Sequence, residues 1–488
     1  MKKLKAIVSA SVLLTLVLAS CASENPTVAP TTLSGTTSVI ATTEDNSYKP
    51  PAGIDYGGYL MRILTLTMGE NDWKYPVMDT EETNAEPVND AIYKRNRSIE
   101  AALNVKIKEI ANDSANTLIT KSVRSNSDDY DLIFYYSHQM GSPMSSGVFL
   151  DLKQVYSLNL GEPYWNQLAI ESFELMDKLF YVPSDASVMV SDALWVIYFN
   201  KKLAENMSID FPYKLVRDGK WTVDAMYDMC KQAALDLDGD GVYGAKDQWG
   251  ATSHTLAFTE FMTSQNALIV VKDENGYPVT ATPDDRFVNA FLNAKKLMDP
   301  RGGIFLDVTT NFQDKNSDED HATKIFMRDK ALFCTEVLGH MRTFREMTAD
   351  YGLLPHPKYD ENQPIYYNGS ADTVPSVAIP ASAIDPERTG TFLDALTGAS
   401  ADTTMPAYYI ISFEGKFSRD EESMEMLDII LQGRIYDLGV IYNWGELPAK
   451  IRDYGTKEGN DNPATVYDKY GDRVTSLIEK TMAKVLEA

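Results

Sequence analysis

The sequence predicts an α/β protein with mostly parallel sheets, and three observations carry that expectation. Segments with strand patterning alternate with segments of helical periodicity, the order that builds parallel sheets covered by helices. Two continuous apolar runs, Asp131-Leu132-Ile133-Phe134-Tyr135-Tyr136 and Leu194-Trp195-Val196-Ile197-Tyr198-Phe199, have the character of parallel strands buried on both faces. The chain of 488 residues, 44% hydrophobic and 10% aromatic, is long enough for two domains with sizeable cores and too apolar to be disordered.

Taken in order, the chain opens on Met1-Lys2-Lys3-Leu4-Lys5, runs apolar from Ala6, and reaches Leu18-Ala19-Ser20-Cys21. A charged start, a short apolar stretch and small residues ahead of a cut make a secretory signal over residues 1–20. The apolar run is too short to span a bilayer comfortably. The Cys at the first mature position resembles the lipobox of bacterial lipoproteins. That resemblance implies a diacylglycerol on the Cys21 thiol and acylation of the new N-terminus, as by palmitate. The expected location is then the extracytoplasmic face of the cell membrane. Residues 21–54 are rich in Ser, Thr and Pro; such a stretch cannot bury enough apolar area to fold and reads as a tether.

Folded elements follow. Met61–Leu66 is a strand, and Asn89–Leu103 a helix with Ile92, Ile99 and Leu103 on one stripe. Val105-Lys106-Ile107-Lys108-Glu109-Ile110 alternates like a half-buried strand. The helix after Thr222 carries Met226, Met229, Cys230 and Ala233 at helical spacing, and Trp221 packs at its start. Ser418-x-x-Glu421 is a capping box, opening a helix with Met424, Leu427, Leu431 and Ile435 inward. With Cys21 assigned to lipid, Cys230 and Cys334 read as small core residues. The formal charge of −25 argues against nucleic acid and anionic headgroups as partners and identifies no ligand.

Asp236-Leu237-Asp238-Gly239-Asp240-Gly241-Val242-Tyr243-Gly244-Ala245-Lys246-Asp247 follows the EF-hand loop rule, with acids at positions 1, 3, 5 and 12 and Gly at 6. The expected ligands of a structural Ca2+ are Asp236, Asp238, Asp240, the Val242 carbonyl and Asp247. Asp in place of Glu at position 12 shortens the last arm, so the site should be weak, about 10⁻⁴–10⁻³ M as is normal outside cells. The same residues spell Gly239-x-Gly241-x-x-Gly244. That is no dinucleotide fingerprint, because it follows a helix and three Asp would repel a pyrophosphate. No organic cofactor is implied.

None of the five His begins a His-Glu-x-x-His, and there is no Gly-x-Ser-x-Gly elbow or P-loop. Acid runs such as Asp128-Asp129 and Asp318-Glu319-Asp320 read as solvated loops. No catalytic residue is assigned, and the expectation is a protein that is not an enzyme. Aromatic rings beside carboxylates and amides suit the apolar faces and polar rims of sugars. Tyr164-Trp165-Asn166, Ser184-Asp185 through Asp192-Trp195, Trp249 and Tyr442-Asn443-Trp444-Gly445-Glu446 offer that mixture; Trp73 stays unassigned.

At these residues the chain resembles extracellular solute-binding proteins of family 1, the carbohydrate type. The blocks are Tyr130–Ile133, Gly147–Leu152, Asp177–Pro183, Leu194–Leu203 with its Asn200-Lys201 ending, Lys220-Trp221-Thr222-Val223-Asp224, Phe326–Phe333 and Tyr351–Lys358. The resemblance implies a periplasmic-binding-protein-like fold, two α/β lobes joined by crossing hinge strands with a ligand cleft between them. Lobe 1 is expected over residues 55–184 with about 371–405, and lobe 2 over 190–370 with about 406–488. Crossings are expected near Ser184–Val190 and Ser370–Pro375. By position, the resemblance implies ligand contacts at Ser137, His138, Asp192, Trp195, Glu336 and Arg342. It implies a monomer that captures a small molecule, a carbohydrate above all, by lobe closure and passes it to the permease subunits of an ABC transporter. The rival class is a surface-anchored glycan-active enzyme or glycan adhesin.

Overall fold

Helix caps and apolar stripes set the element boundaries. In the computed structural model of the protein, the described residues are 48–67, 77–244, 246–311, 321–413 and 421–487. The expected signal segment, Cys21, most of the tether, Trp73 and Ser418 lie outside them. Helix Pro87–Leu103 starts where the Glu86 carboxylate accepts from the Asn89 N–H and Pro87 sets the first turn; it ends on Asn104 in the left-handed region, φ 49°. It buries Ile92, Ile99 and Leu103. Helix Val223–Ala233 is capped by the Thr222 hydroxyl and buries Met226, Met229, Cys230 and Ala233. A β-carbon at Gly250 would collide with Cys230 of this helix, so the close approach of strand and helix requires Gly there. Both described cysteines are free and buried.

Among the described residues, two five-stranded sheets carry the fold. The first has the order β2 (Val105–Ala111), β1 (Tyr59–Thr65), β3 (Leu132–Tyr136), β13 (Pro375–Ala378), β4 (Val182–Pro183). The second has the order β11 (Tyr351–Leu354), β5 (Trp195–Asn200), β10 (Ala331–Val337), β6 (Trp249–Ser253), β9 (Phe305–Asp307). Two small ribbons accompany them: β7 (Val270–Lys272) with β8 (Pro278–Thr280), and β12 (Asn368–Gly369) with β14 (Arg434–Ile435).

The expectation of mostly parallel sheets is corrected. β1 pairs parallel with β2 and β3, and β6 with β9 and β10, but β13 runs antiparallel to β3 and β4, and β5 antiparallel to β10 and β11. A continuous apolar run such as Val196–Phe199 reports burial on both faces and carries no direction. These reversed strands flank the passages between sheets. The chain leaves the first sheet after Pro183 and enters the second at Trp195; it leaves after Leu354 and re-enters the first at Pro375. The two passages touch through the Leu194–Ser370 bridge and the Ala371 N–H to Ala193 carbonyl bond, 2.8 Å.

Later helices pack on both sides of these passages. Pro386–Asp402 and Thr404–Phe413 lie against Pro87–Leu103, whereas Glu421–Gln432 lies against β11. The inward stripe of Glu421–Gln432 is Ser423, Met426, Leu427 and Ile430. Met424 is exposed and Ile435 belongs to β14. Leu427 faces inward as expected and Leu431 packs partly against the core, but the first turn brings Ser423 inward instead of Met424, its hydroxyl accepting from the Leu353 N–H and meeting the Tyr213 hydroxyl. Among the described residues no helix is long and apolar enough to cross a membrane.

Candidate functional site

The carboxyl ends of parallel strands are where α/β sheets present ligand-binding groups. Here those ends abut the passages between sheets. Tyr136, last residue of β3, pairs with Pro375 just after the second passage. Val337, last residue of β10, pairs with Trp195 just after the first.

On the first sheet, Ser137 and His138 follow β3. The Ser137 hydroxyl lies 2.8 Å from the Val374 carbonyl and 2.7 Å from the Ser376 hydroxyl, fully buried. Ser137 therefore holds the returning chain. The His138 backbone N–H and ring Nδ1 both donate to the Asp372 carbonyl, at 3.1 and 3.0 Å, which leaves Nε2 as the outward nitrogen. The ring stacks on Tyr136 at 5.8 Å.

On the second sheet a tighter group forms. The Glu336 carboxylate, 5% exposed, meets His254 Nε2 at 3.4 Å through one oxygen and His340 Nε2 at 3.5 Å through the other. Trp195 stands edge-on to His254, ring centroids 5.3 Å apart. Burial disfavours protonation of His254, but the Glu336 charge outweighs it and the imidazole pKa is raised. Burial works against ionisation of Glu336, and the two imidazoles outweigh that and lower its pKa. His254 and His340 were missed by sequence reasoning. The signal was present for His254: Ser253-His254 ends one buried strand as Ser137-His138 follows another.

Asp192 and Arg342, both expected to touch ligand, hold each other. Asp192 closes the short helix Met189–Asp192, and the chain bends at Ala193, φ −81°, ψ −2°. Its carboxylate accepts from Arg342 Nη2 at 2.5 Å and from the Tyr408 hydroxyl of Thr404–Phe413. Burial raises its pKa against the opposing pull of Arg342 and Tyr408. Asp192 thus joins the first passage, the second sheet's edge and a helix packed on Pro87–Leu103. Trp195 is itself buried, 3% exposed, and the other described indoles are internal too: Trp165 donates to Asp394, Trp221 to the Pro355 carbonyl, Trp249 to the Gly244 carbonyl and Trp444 to Thr481. Buried rings with satisfied N–H groups are packing elements, so Trp165, Trp249 and Trp444 are not the sugar walls their neighbours suggested.

In the acidic loop, ligand oxygens of Asp236, Asp238 and Asp240 lie within 4.8 Å of one another. Gly239 and Gly241 take positive φ, 73° and 81°, which lets the turn close. Hard carboxylate oxygens around a tight turn are the donor set for Ca2+. Asp247 stands apart from that trio. Its two oxygens accept from the Leu237 and Gly244 N–H groups at 2.9 and 2.7 Å, so it fastens the loop. The Val242 side chain is exposed and its N–H is held by Asp240 at 2.7 Å.

No family model matches the chain. No curated protein sequence matches it significantly. Solved structures do. It is similar to an ABC substrate-binding protein from Listeria monocytogenes in complex with cycloalternan, 12% identical with TM-score 0.54 over 86% of this chain and 99% of that one. It is similar to a sugar transporter from Rhizobium etli in an open conformation, 14% identical with TM-score 0.56 over 88% and 100%. It is also similar to an extracellular solute-binding protein family 1 from Alicyclobacillus acidocaldarius, 12% identical with TM-score 0.52 over 89% and 100%. At such identities the likeness establishes the architecture: this chain has the two-lobe, periplasmic-binding-protein-like α/β fold.

Proposed function

We propose that this protein is a lipid-anchored solute receptor that takes a sugar or oligosaccharide between its lobes, without turnover, and hands it to the permease of an ABC transporter. The observation that carries the reading is the placement of Trp195, His254, Glu336 and His340 on the second sheet and His138 on the first, all at strand ends beside the two passages. An indole edge beside buried charge-assisted hydrogen bonders suits a ring with apolar C–H faces and polar hydroxyls. The passages are where lobes of this architecture bend toward one another around a ligand. Similar folds that hold sugars, such as the cycloalternan complex, support the same class. Ser137, Asp192 and Arg342 act in this reading as supports of the cleft walls rather than as direct contacts. Cys21 anchors the protein, and the Asp236–Asp247 loop holds a structural Ca2+.

A thermal-shift screen of the purified chain against mono-, di- and oligosaccharides tests the reading, since a ligand that binds the folded state raises Tm by mass action. A concentration-dependent rise with at least one saccharide is expected, and Trp195→Ala should weaken it. Hydrolysis of the bound saccharide, or a flat response across the screen, would overturn the receptor assignment.

A further inference from the structure

The two passages are not the only contacts between the lobes. Helix Leu438–Tyr442 is built into the second lobe. Asp437, which caps it, accepts from the N–H groups of Ile269 and Val270 at 2.6 and 3.3 Å. The Tyr467 hydroxyl holds the Ile269 carbonyl at 3.3 Å. The next helix, Leu447–Gly455, packs on Ala257–Ser264, the helix after β6, so closely that a β-carbon at Gly455 would collide with Phe258.

The other side of helix Leu438–Tyr442 meets the first lobe. Tyr442 lies on helix Ser137–Met144, which leaves the ligand edge of β3. A β-carbon at Gly141 would stand 3.0 Å from the Tyr442 ring, and the Tyr442 hydroxyl points at Met144 Sδ, 3.4 Å away. Tyr436, just ahead of the helix, stands edge-on to Phe173 of helix Gln167–Phe173, ring centroids 5.4 Å apart. Phe173 stands edge-on to Tyr181 at 5.4 Å, and Tyr181 lies 6.2 Å from Tyr442. Beside these rings the β7–β8 ribbon reaches the same part of the first lobe: Lys272 Nζ donates to the Glu171 carbonyl, and the Met176 N–H to the Gly276 carbonyl at 3.3 Å.

The seam is asymmetric. Short bonds to the Asp437 carboxylate tie helix Leu438–Tyr442 to its own lobe, whereas ring packing carries its contact with the other. The seam also contains an opposing cost. Tyr181 and Tyr436, one from each lobe, are 1% and 2% exposed, and neither hydroxyl hydrogen-bonds to any described residue. A buried hydroxyl without a partner weighs against the contact that buries it; parting the seam returns both to water. We infer that helix Leu438–Tyr442 is a clasp that travels with the second lobe and holds it against the first before any solute arrives. Ring burial keeps the clasp shut and the two hydroxyls favour its release. The inference goes beyond the receptor reading: a solute can enter only those chains whose clasp has parted, and its apparent affinity is reduced by that fraction.

Thiol labelling read by peptide mass on the full, ligand-free chain tests it. Met144→Cys places a thiol beneath Tyr442, and buried Cys230 serves as the internal control for unfolding. The new thiol should label at least a hundredfold more slowly than in urea. Tyr442→Ala in that background should speed it at least tenfold with Cys230 unchanged. Gly141→Ala, which sets a methyl against the ring, should act in the same direction and carries the comparison if Tyr442→Ala does not fold. Tyr181→Phe with Tyr436→Phe keeps the rings, removes the unpaired hydroxyls and should slow labelling at least threefold. Labelling as fast as in urea, rates within twofold of the parent in both loosening variants, or faster labelling in the Phe pair would overturn the clasp. So would a rise that Cys230 matches, because the thiol would then be released by general unfolding. No saccharide enters these measurements, so their failure would leave the receptor reading standing.

Discussion

Substituting Asp192→Ala separates a support from a ligand group at the first passage. The change leaves the Tyr408 hydroxyl buried without an acceptor and deprives Arg342 of the carboxylate 2.5 Å from Nη2. Removing one partner of a buried ion pair costs about 3–5 kcal/mol. The Arg342 side chain is 34% exposed and can recover water, which places its share at the low end, about 3 kcal/mol or less. The stranded Tyr408 hydroxyl adds about 1–3 kcal/mol. The expected loss is about 3–5 kcal/mol, and Tyr408→Phe alone should cost about 1.5–3 kcal/mol, the value of a hydrogen bond to a charged group. Urea unfolding of wild type, the two single variants and the double variant gives the cycle. Because both substitutions remove the same bond, the double variant should lose clearly less than the sum of the singles. A wild-type unfolding midpoint for Asp192→Ala, together with a large loss of saccharide affinity, would refute the support role and return Asp192 to the ligand.

The Glu336–His254 pair predicts a pH signature. A raised imidazole pKa gives stability that is full below the ordinary value of 6.5 and is lost as pH rises through the higher folded value; a lowered carboxylate pKa gives stability that is full above 4.5 and is lost as pH falls through the lower folded value. The pair should therefore stabilise most between those two reference values, and the advantage of wild type over Glu336→Gln in urea midpoint should shrink between pH 6 and pH 9; an advantage that grows over that range would contradict the assignment. Chelator should lower Tm and millimolar Ca2+ restore it, with Asp240→Asn insensitive to both; identical melting curves in chelator and Ca2+ would count against a stabilising ion. Cys21→Ser should leave the chain unprocessed or release it to the medium, as read by fractionation and N-terminal mass; a normally matured, membrane-bound Ser variant would contradict lipid anchoring.

Elements held by local periodicity were legible. Helix Pro87–Leu103 buries the three residues its stripe named, and the helix after Thr222 buries all four. What failed depended on partners far along the chain. The direction of β5 is set by β10 and β11, more than a hundred residues later, and no property of an apolar run encodes it. The first turn of helix Glu421–Gln432 points inward a Ser that finds Tyr213 and Leu353. In the site, Glu336 was legible as a polar residue at the end of a buried strand. Its partner His254 lies 82 positions earlier and meets it only because β6 and β10 are adjacent. Asp192 and Arg342 were legible as polar residues near a passage, but two opposite charges 150 positions apart carry no sign that they will satisfy each other. Likewise, six Trp look alike in sequence. What sets most of the described ones apart from a ligand wall is a buried acceptor for the indole N–H, supplied by residues as distant as Asp394 for Trp165.

Charge shows the same division between what composition reveals and what folding decides. A net charge of −25 describes mostly exposed carboxylates, whose fields fade over about 8 Å at physiological ionic strength. They keep a protein soluble and repel polyanions, and they do not select a small ligand. Glu260 and Asp437 are a small fraction of 70 acidic residues, yet folding has taken both out of water, and burial pushes the pKa of each upward, toward the neutral form.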